Sequence, residues 1–181
     1  MTIRHDDALA LVSSFVPTPE EEKSLELVLA LLGHSKTPFS RDHFTPGHIT
    51  ATALVFHPDR NRVLLIHHHR LQRWLLPGGH VEPDDATLAG TAAREAVEET
   101  GIALTGAGAD RLAGIDVHAI PAKRGEPLHL HHDLIFAFEA ASAEVAPSPE
   151  APLIEWCSPS DFDRYELPTA IRRAFHRGSQ Q

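Results

Sequence analysis

The feature of this sequence that most restricts its fold is a Gly-Gly turn followed by a helix that carries three glutamates. The stretch runs from Gly78-Gly79-His80 to Arg94-Glu95-Ala96-Val97-Glu98-Glu99-Thr100-Gly101-Ile102. Asp84 or Asp85 is expected to cap the helix at its start, and Gly101 stands where a left-handed C-cap belongs. Small side chains at helical spacing predict one closely packed face: Ala86, Ala89, Gly90, Ala93, Ala96 and Val97.

The three glutamates are expected on the opposite face of this helix. Glu95, Glu98 and Glu99 stand at positions i, i+3 and i+4, so their carboxylates repel one another by about 0.2–0.5 kcal/mol per pair. A hard cation such as Mg²⁺ prefers clustered oxygen ligands of this kind. A solvated acidic face is the alternative interpretation. The Gly-Gly turn before the helix favours the metal site.

The stretch resembles the Nudix box, in which Gly and a later Glu precede the pattern Arg-Glu-apolar-x-Glu-Glu-x-Gly-apolar. Gly79 matches the first Gly, and residues 94–102 match the end. Asp85 stands in the place of the first Glu, with eight residues instead of seven before Arg94, and Ala96 is a weak apolar residue. We expect the loop before the helix to absorb the extra residue without moving the glutamates.

The flanking sequence extends this resemblance to roughly residues 47–165. Trp74-Leu75-Leu76-Pro77 precedes the glycines, and Trp156 is followed by Ser158-Pro159-Ser160-Asp161-Phe162. The family implies an α/β fold, an α/β/α sandwich with a mixed central sheet. Apolar patterns agree with a mixed sheet covered on both sides, and they predict strands at residues 49–56, 63–66, 112–120, 128–138 and 153–156. A last helix is expected from Pro168 to about Phe175.

Two parts of the chain are expected: an N-terminal helical arm over residues 1–45 and a Nudix hydrolase domain over residues 46–181. The arm is predicted to contain a first helix from Asp7 to Val16. A second helix starts with a capping sequence at residues 18–21 and ends at Gly33. Packing on the domain, formation of a homodimer and shaping of the site all remain open for this arm.

The resemblance also implies a chemistry. Nudix enzymes are hydrolases of phosphoanhydride bonds that cleave the diphosphate linkage of a nucleoside diphosphate derivative through attack of water on phosphorus. Mg²⁺ or Mn²⁺ is the implied cofactor. The catalytic residues and metal ligands that it implies are Glu95, Glu98 and Glu99, together with the backbone carbonyl of Gly78 or Gly79.

Other residues of the box are expected to support it or to move a proton. Arg94 and Asp85 are predicted to fix the loop without taking part in the reaction. The general base is left open. Glu98 is the candidate within the box, whereas Glu126 and Glu150 are candidates in later loops.

Histidines and arginines outside the helix predict a substrate-binding surface. His129, His131 and Asp133 alternate along one strand and therefore share a face, with His118 expected on the neighbouring strand. Substrate recognition is the favoured interpretation, and a second metal site or a hydrogen-bonded network are the alternatives. The residues expected to bind substrate are Arg70, Arg73, His80, His118, Glu126, His129, His131 and Asp133.

The consecutive residues His67-His68-His69 also resemble a transition-metal tract. Neighbouring strand residues point to opposite faces, so these side chains cannot converge on one ion. This second metal interpretation is therefore the weaker one.

Composition limits the partners of the chain. A formal net charge of −9 argues against the binding of long nucleic acid, and the family resemblance implies a small molecule as substrate. Cys157 is the single cysteine, and this fits a reducing cytoplasm without internal disulfides. Apolar runs shorter than about 18 residues predict no membrane span.

Two other functions on the same scaffold stay open. A ligand-binding or regulatory module typically lacks box glutamates, whereas all three stand here. A diphosphate isomerase would need a catalytic cysteine in the pocket, and Cys157 follows the last predicted strand. Hydrolysis is therefore the favoured prediction.

Overall fold

This computed structural model describes residues 3–69, 71–105, 111–123 and 125–180, which contain four α-helices and seven strands. The helices are α1 (His5–Ser13), α2 (Glu22–His34), α3 (Leu88–Thr100) and α4 (Thr169–Gly178). The strands are β1 (Gly47–Phe56), β2 (Val63–His68), β3 (Arg73–Leu75), β4 (Gly78–His80), β5 (Leu112–Ile120), β6 (His129–Glu139) and β7 (Leu153–Cys157). A 3₁₀ turn spans Pro159–Asp161.

Strand β1 is the centre of a mixed sheet. It runs parallel to β6 from the pair Gly47–Leu130 to the pair Phe56–Glu139, and β6 runs antiparallel to β5. The opposite edge of β1 is shared, because β4 pairs with Thr50–Thr52 and β2 joins at Phe56. Strand β2 also pairs with β3 and β7. This arrangement confirms the predicted mixed sheet.

Helices cover both faces of the sheet. Side chains of α1, α2 and α3 share one apolar cluster with Ile49, Ala51 and Phe136 on the first face. On the second face, α4 packs Ile171 and Phe175 into another cluster with strand residues that include Leu54 and Phe56. The predicted α/β/α sandwich is therefore confirmed. Among the described residues, no helix is long and apolar enough to cross a membrane.

The N-terminal helices pack on the sheet. Val12 of α1 and Val28 of α2 are fully buried, and burial of such a side chain stabilises the fold by about 1.5–3 kcal/mol. Glu21, at the start of α2, is also fully buried and pairs with Arg177 of α4. Of the three roles left open for the arm, packing on the domain is thus observed.

Helix α3 differs from its prediction in its cap and in its orientation. Thr87 is the N-cap, and its hydroxyl accepts a hydrogen bond from Gly90 N, so the expectation of Asp84 or Asp85 is wrong. Val97 is 47% exposed, although it was placed on the packed face. The buried stripe passes through Ala89, Ala92, Ala96 and Glu99.

Two short strands, β3 and β4, have no counterpart in the predictions. Each contains three residues, and an alternation that short cannot be distinguished from a turn. β4 contains the two glycines of the turn and His80. Its pairing with β1 positions the candidate site.

Candidate active site

Helix α3 approaches the sheet closely because its buried stripe consists mainly of small side chains. Ala92 and Ala96 are fully buried, and Thr100 turns its hydroxyl back to Ala96 O at 2.6 Å. Gly101 ends the helix with φ 64°, the left-handed C-cap that the sequence predicts. The close contact brings the last turn of α3 under β4.

Two glutamates of this last turn contact the Gly-Gly turn directly. Gly78 N donates a hydrogen bond to Glu99 Oε2 at 3.0 Å. A Cβ atom added to Gly79 would lie 2.5 Å from Glu95 Oε1. A side chain at residue 79 would therefore collide with the carboxylate of Glu95, which explains why glycine stands there.

The three carboxylates differ in exposure. Glu99 is 5% exposed as a residue, whereas the side chain of Glu95 is 16% exposed and that of Glu98 is 58% exposed. Burial raises the pKa of Glu99 to about 8, against the opposing effect of the Gly78 N–H and with help from the charge of Glu95. Burial also raises the pKa of Glu95. Carboxylates held together in this way favour a cation between them.

Arg94 and Asp85 connect the loop before α3 to these glutamates. Arg94 donates two hydrogen bonds to Asp85, at 3.0 and 2.9 Å. Its remaining N–H groups reach Glu95 Oε1, Glu98 Oε2 and the carbonyl of His80. Burial raises the pKa of Asp85, but hydrogen bonds from Arg94, Glu82 N and Thr91 together outweigh burial and leave that pKa below its usual value. Arg94 and Asp85 therefore connect the loop to the glutamates, as their predicted supporting role requires.

A wall of imidazoles covers part of the opposite face of the sheet. His48 pairs with His131, and His131 pairs with His118 on β5. His80 pairs with Thr50, two residues from His48. Since alternate strand residues share a face, the structure brings these side chains together: His48, His80, His118, His129 and His131, with Asp133 beside them.

His48 belongs to this wall although the sequence did not single it out. Its ring centroid lies 5.0 Å from that of His80, 5.1 Å from that of His129 and 4.9 Å from that of His131. Only the register between β1 and β6 places it there. Alternation along β1 predicts that His48 and Thr50 share a face of the sheet. The sequence of one strand does not identify the parallel strand with which it pairs.

Burial and neighbouring charges shape the chemistry of the wall. Burial, together with the imidazoles of His48 and His80, lowers the pKa of His131 to about 2. A hydrogen bond with Asp116 raises the pKa of His118. Burial raises the pKa of Asp133, although hydroxyl groups of two β1 threonines donate to its carboxylate at 2.8–2.9 Å. Burial therefore keeps His131 neutral at pH 7, and threonine hydroxyls of β1 hold the carboxylate of Asp133.

The remaining predicted residues lie around these two regions. Arg73 is exposed on β3, and its charge acts on His118. Glu126 lies in the turn after β5, where its backbone pairs with Lys123. Glu150 is exposed, and its charge acts on both Glu95 and Glu99. Arg70 lies outside the described residues.

Comparison with known proteins finds solved structures of similar fold. A MutT protein from Methanosarcina mazei Go1 is 26% identical over 73% of this chain and 92% of its own, with a TM-score of 0.52. A MutT protein from Bacillus halodurans is 25% identical over 74% of this chain and 82% of its own, with a TM-score of 0.51. A NUDIX-family hydrolase from Clostridium perfringens shares the fold at 21% identity and a TM-score of 0.52, covering 74% of this chain and 97% of its own. No curated protein matches the chain.

The family model of the NUDIX domain matches residues 46–177. This range includes the Gly-Gly turn, helix α3 and the histidine wall, and it leaves out α1 and α2. The match confirms the family and the class of enzyme that the sequence predicts, a hydrolase of phosphoanhydride bonds. The chain belongs to the NUDIX family.

Proposed function

We propose that this protein is a hydrolase, dependent on Mg²⁺ or Mn²⁺, that cleaves the diphosphate linkage of a nucleoside diphosphate derivative. The observation that carries the proposal is the contact of Glu95 and Glu99 with the Gly78–Gly79 turn. This contact places the carboxylates of Glu95 and Glu99 against backbone atoms of the Gly-Gly turn.

The donor set fits a hard divalent cation. Glu95 and Glu99 would hold it from one helix turn, with Glu98 as a further ligand and a carbonyl of Gly78 or Gly79 completing the shell. Three oxygen donors from carboxylates are what Mg²⁺ and Mn²⁺ prefer. Such a cation neutralises charge on the phosphate oxygens during hydrolysis.

The chain itself supplies orientation and a base. Arg94 holds Glu95 and Glu98 in place and is itself held by Asp85. Glu150 is the later-loop carboxylate whose charge acts on the buried glutamates, so it is better placed than Glu126 to accept a proton from water. Glu98, the most exposed of the three, remains the alternative base within the box.

The histidine wall and Arg73 are proposed to receive the substrate. Imidazoles form hydrogen bonds and stack on flat rings, which suits a nucleoside, and Arg73 suits a phosphate. MutT proteins are the relatives with the highest identities reported above. Several classes of nucleotide compound are tested as substrates.

The isomerase alternative finds no support at Cys157. This thiol is buried at the end of β7 in the cluster beneath α4. Burial raises its pKa to about 11, so it remains protonated at neutral pH. A catalytic cysteine would need surroundings that lower its pKa, because the thiolate is the nucleophile.

The first prediction tests the carboxylate site. Glu99→Gln keeps an oxygen for the Gly78 N–H but removes the charge, so hydrolysis should fall by about 100-fold or more with an unchanged thermal unfolding midpoint. Hydrolysis is measured with Mg²⁺ or Mn²⁺ over nucleoside diphosphate sugars, dinucleoside polyphosphates, NADH, ADP-ribose and nucleoside triphosphates.

Glu22→Gln is the matched control, because Glu22 is exposed on α2, and it should retain full activity. Full activity in Glu99→Gln would contradict the metal assignment. Binding of a panel compound without turnover by the unaltered protein would replace hydrolysis with the regulatory alternative.

A further inference from the structure

Three imidazoles of the histidine wall converge on one point. His48 of β1, His80 of β4 and His131 of β6 each offer a ring nitrogen, and the three nitrogens lie within 4.8 Å of one another. They come from three strands that lie side by side in the sheet. Side chains that share a face of adjacent strands can meet at one ion, which consecutive residues of one strand cannot do.

His48 carries the strongest sign of a missing ligand. Its Nδ1 lies 3.2 Å from the carbonyl oxygen of His43. A carbonyl only accepts, so the proton belongs on Nδ1 and Nε2 keeps its lone pair. This Nε2 is buried and has no hydrogen-bond partner among the described residues, and an unpaired buried polar atom destabilises the fold. A backbone carbonyl on one ring nitrogen is the usual support of a metal ligand on the other.

We propose that His48, His80 and His131 form a binding site for a divalent transition metal of the Zn²⁺ type. Zinc accepts three histidines and keeps a fourth position for water or substrate. Zn–N bonds of about 2.0–2.1 Å in a tetrahedral site place the nitrogens about 3.3–3.4 Å apart, so the three nitrogens must move closer than the 4.8 Å within which they now lie. His80 and His131 are half-buried, so rotation of their rings would achieve this approach.

This site is separate from the carboxylates of α3. Imidazole nitrogens select zinc, copper or nickel, whereas the glutamates select magnesium or manganese. Alternation along β4 also separates them, because residue 79 faces Glu95 and His80 faces the other side of the sheet. The inference therefore goes beyond the proposed hydrolysis and does not depend on it, although the three histidines also belong to the wall proposed to receive the substrate.

The test is a titration of the whole protein with Zn²⁺ against a chromogenic chelator, in excess Mg²⁺ so that the carboxylates are saturated. The unaltered protein should bind Zn²⁺ at one site, and His131→Gln and His80→Gln should each weaken that site at least tenfold. Co²⁺ in place of Zn²⁺ should give visible absorption bands of a four-coordinate site that both variants lose.

Two controls separate this site from others. His176→Gln removes an exposed imidazole at the end of α4 and should leave Zn²⁺ affinity unchanged, as should Glu99→Gln. Equal affinity of His131→Gln and the unaltered protein would overturn the proposal, as would loss of Zn²⁺ binding in Glu99→Gln. If His131→Gln does not fold, His80→Gln decides. Retained Zn²⁺ binding by a protein without hydrolytic activity would refute only the proposed hydrolysis.

Discussion

At the scale of single residues, Arg94 joins the parts of the candidate active site. Its guanidinium contacts Asp85 in the loop, His80 O in β4 and two glutamates of its own helix. A planar group with several fixed donors can serve all of these acceptors at once. Asp85, the residue that departs from the family pattern, accepts two of the hydrogen bonds and is 8% exposed.

The second prediction concerns this guanidinium. Arg94→Lys keeps the charge but cannot form the paired hydrogen bonds with Asp85, so a nearly buried carboxylate loses its partners. We expect a loss of about 2–3 kcal/mol in the free energy of unfolding and at least tenfold lower activity. Chemical denaturation and the hydrolysis assay measure the two effects.

Arg172→Lys is the matched control for Arg94→Lys. Arg172 pairs with Asp163, whose side chain is 92% exposed, and such surface pairs contribute about 0–1 kcal/mol. Equal losses in the two variants would show that Arg94 has no special role in the loop.

At the scale of elements, the Gly-Gly turn and α3 form one unit. β4 supplies backbone to the carboxylates, and the alanines of α3 allow the approach. The segment between β4 and Leu88 contains Asp85, which accepts a hydrogen bond from Glu82 N and another from Thr91. These hydrogen bonds connect the loop to α3, whose glutamates lie against the turn.

The third prediction tests the space at this turn. Gly79→Ala places a methyl group against Glu95, so the carboxylate must move and activity should fall at least tenfold. Since Glu95 is a flexible side chain, we expect the fold to survive. The Mg²⁺ concentration that gives half-maximal hydrolysis should increase.

Gly33→Ala is the comparison for Gly79→Ala. Gly33 lies within α2, and a Cβ there meets no atom within 4 Å. Alanine in a helix is favoured over glycine by about 0.5–1 kcal/mol, so this variant should be more stable and equally active. Unchanged metal dependence in Gly79→Ala would contradict the close contact.

At the scale of the whole molecule, one buried ion pair connects the N-terminal helices to α4. Arg177 donates to both carboxylate oxygens of Glu21, at 3.1 and 2.6 Å, and to Ala113 O of β5. Its guanidinium also lies 4.7 Å from the ring centroid of Phe15. Burial raises the pKa of Glu21, but the hydrogen bonds from Arg177 and Thr18 N outweigh burial and lower it below 4.5.

The fourth prediction follows from this lowered pKa. Glu21→Gln should reduce the free energy of unfolding at pH 7 by about 1–3 kcal/mol. Because the folded pKa is depressed, the contribution of Glu21 is complete above the unfolded value of 4.5 and is lost as pH falls through the folded value. The difference between the two proteins should therefore shrink in acid.

Denaturant titrations between pH 7 and pH 3 measure this difference. Glu26→Gln, at an exposed position of the same helix, should change stability by less than about 0.5 kcal/mol at every pH. A Glu21→Gln effect that stays constant as pH falls would contradict the role of the ionised carboxylate.

Local patterns predicted much of this fold because they reflect local geometry. The start of β5 at Leu112, its end at Ile120 and the cap at Gly101 agree with the sequence predictions. The prediction placed Val97 on the packed face of α3, whereas the structure buries Glu99 and leaves Val97 exposed. A helix pattern alone cannot identify the covered side when a glutamate belongs on it.

The sequence by itself determined the family, the elements and the set of carboxylates, because each depends on spacing within one stretch of chain. The tertiary structure decided which of those carboxylates are buried and which histidines meet. Glu99 lies under Gly78, and His48 lies beside His80 and His131, only because β1 pairs with β4 on one edge and with β6 on the other. Pairing between distant strands is a property of the whole chain, and it alone brings these groups together.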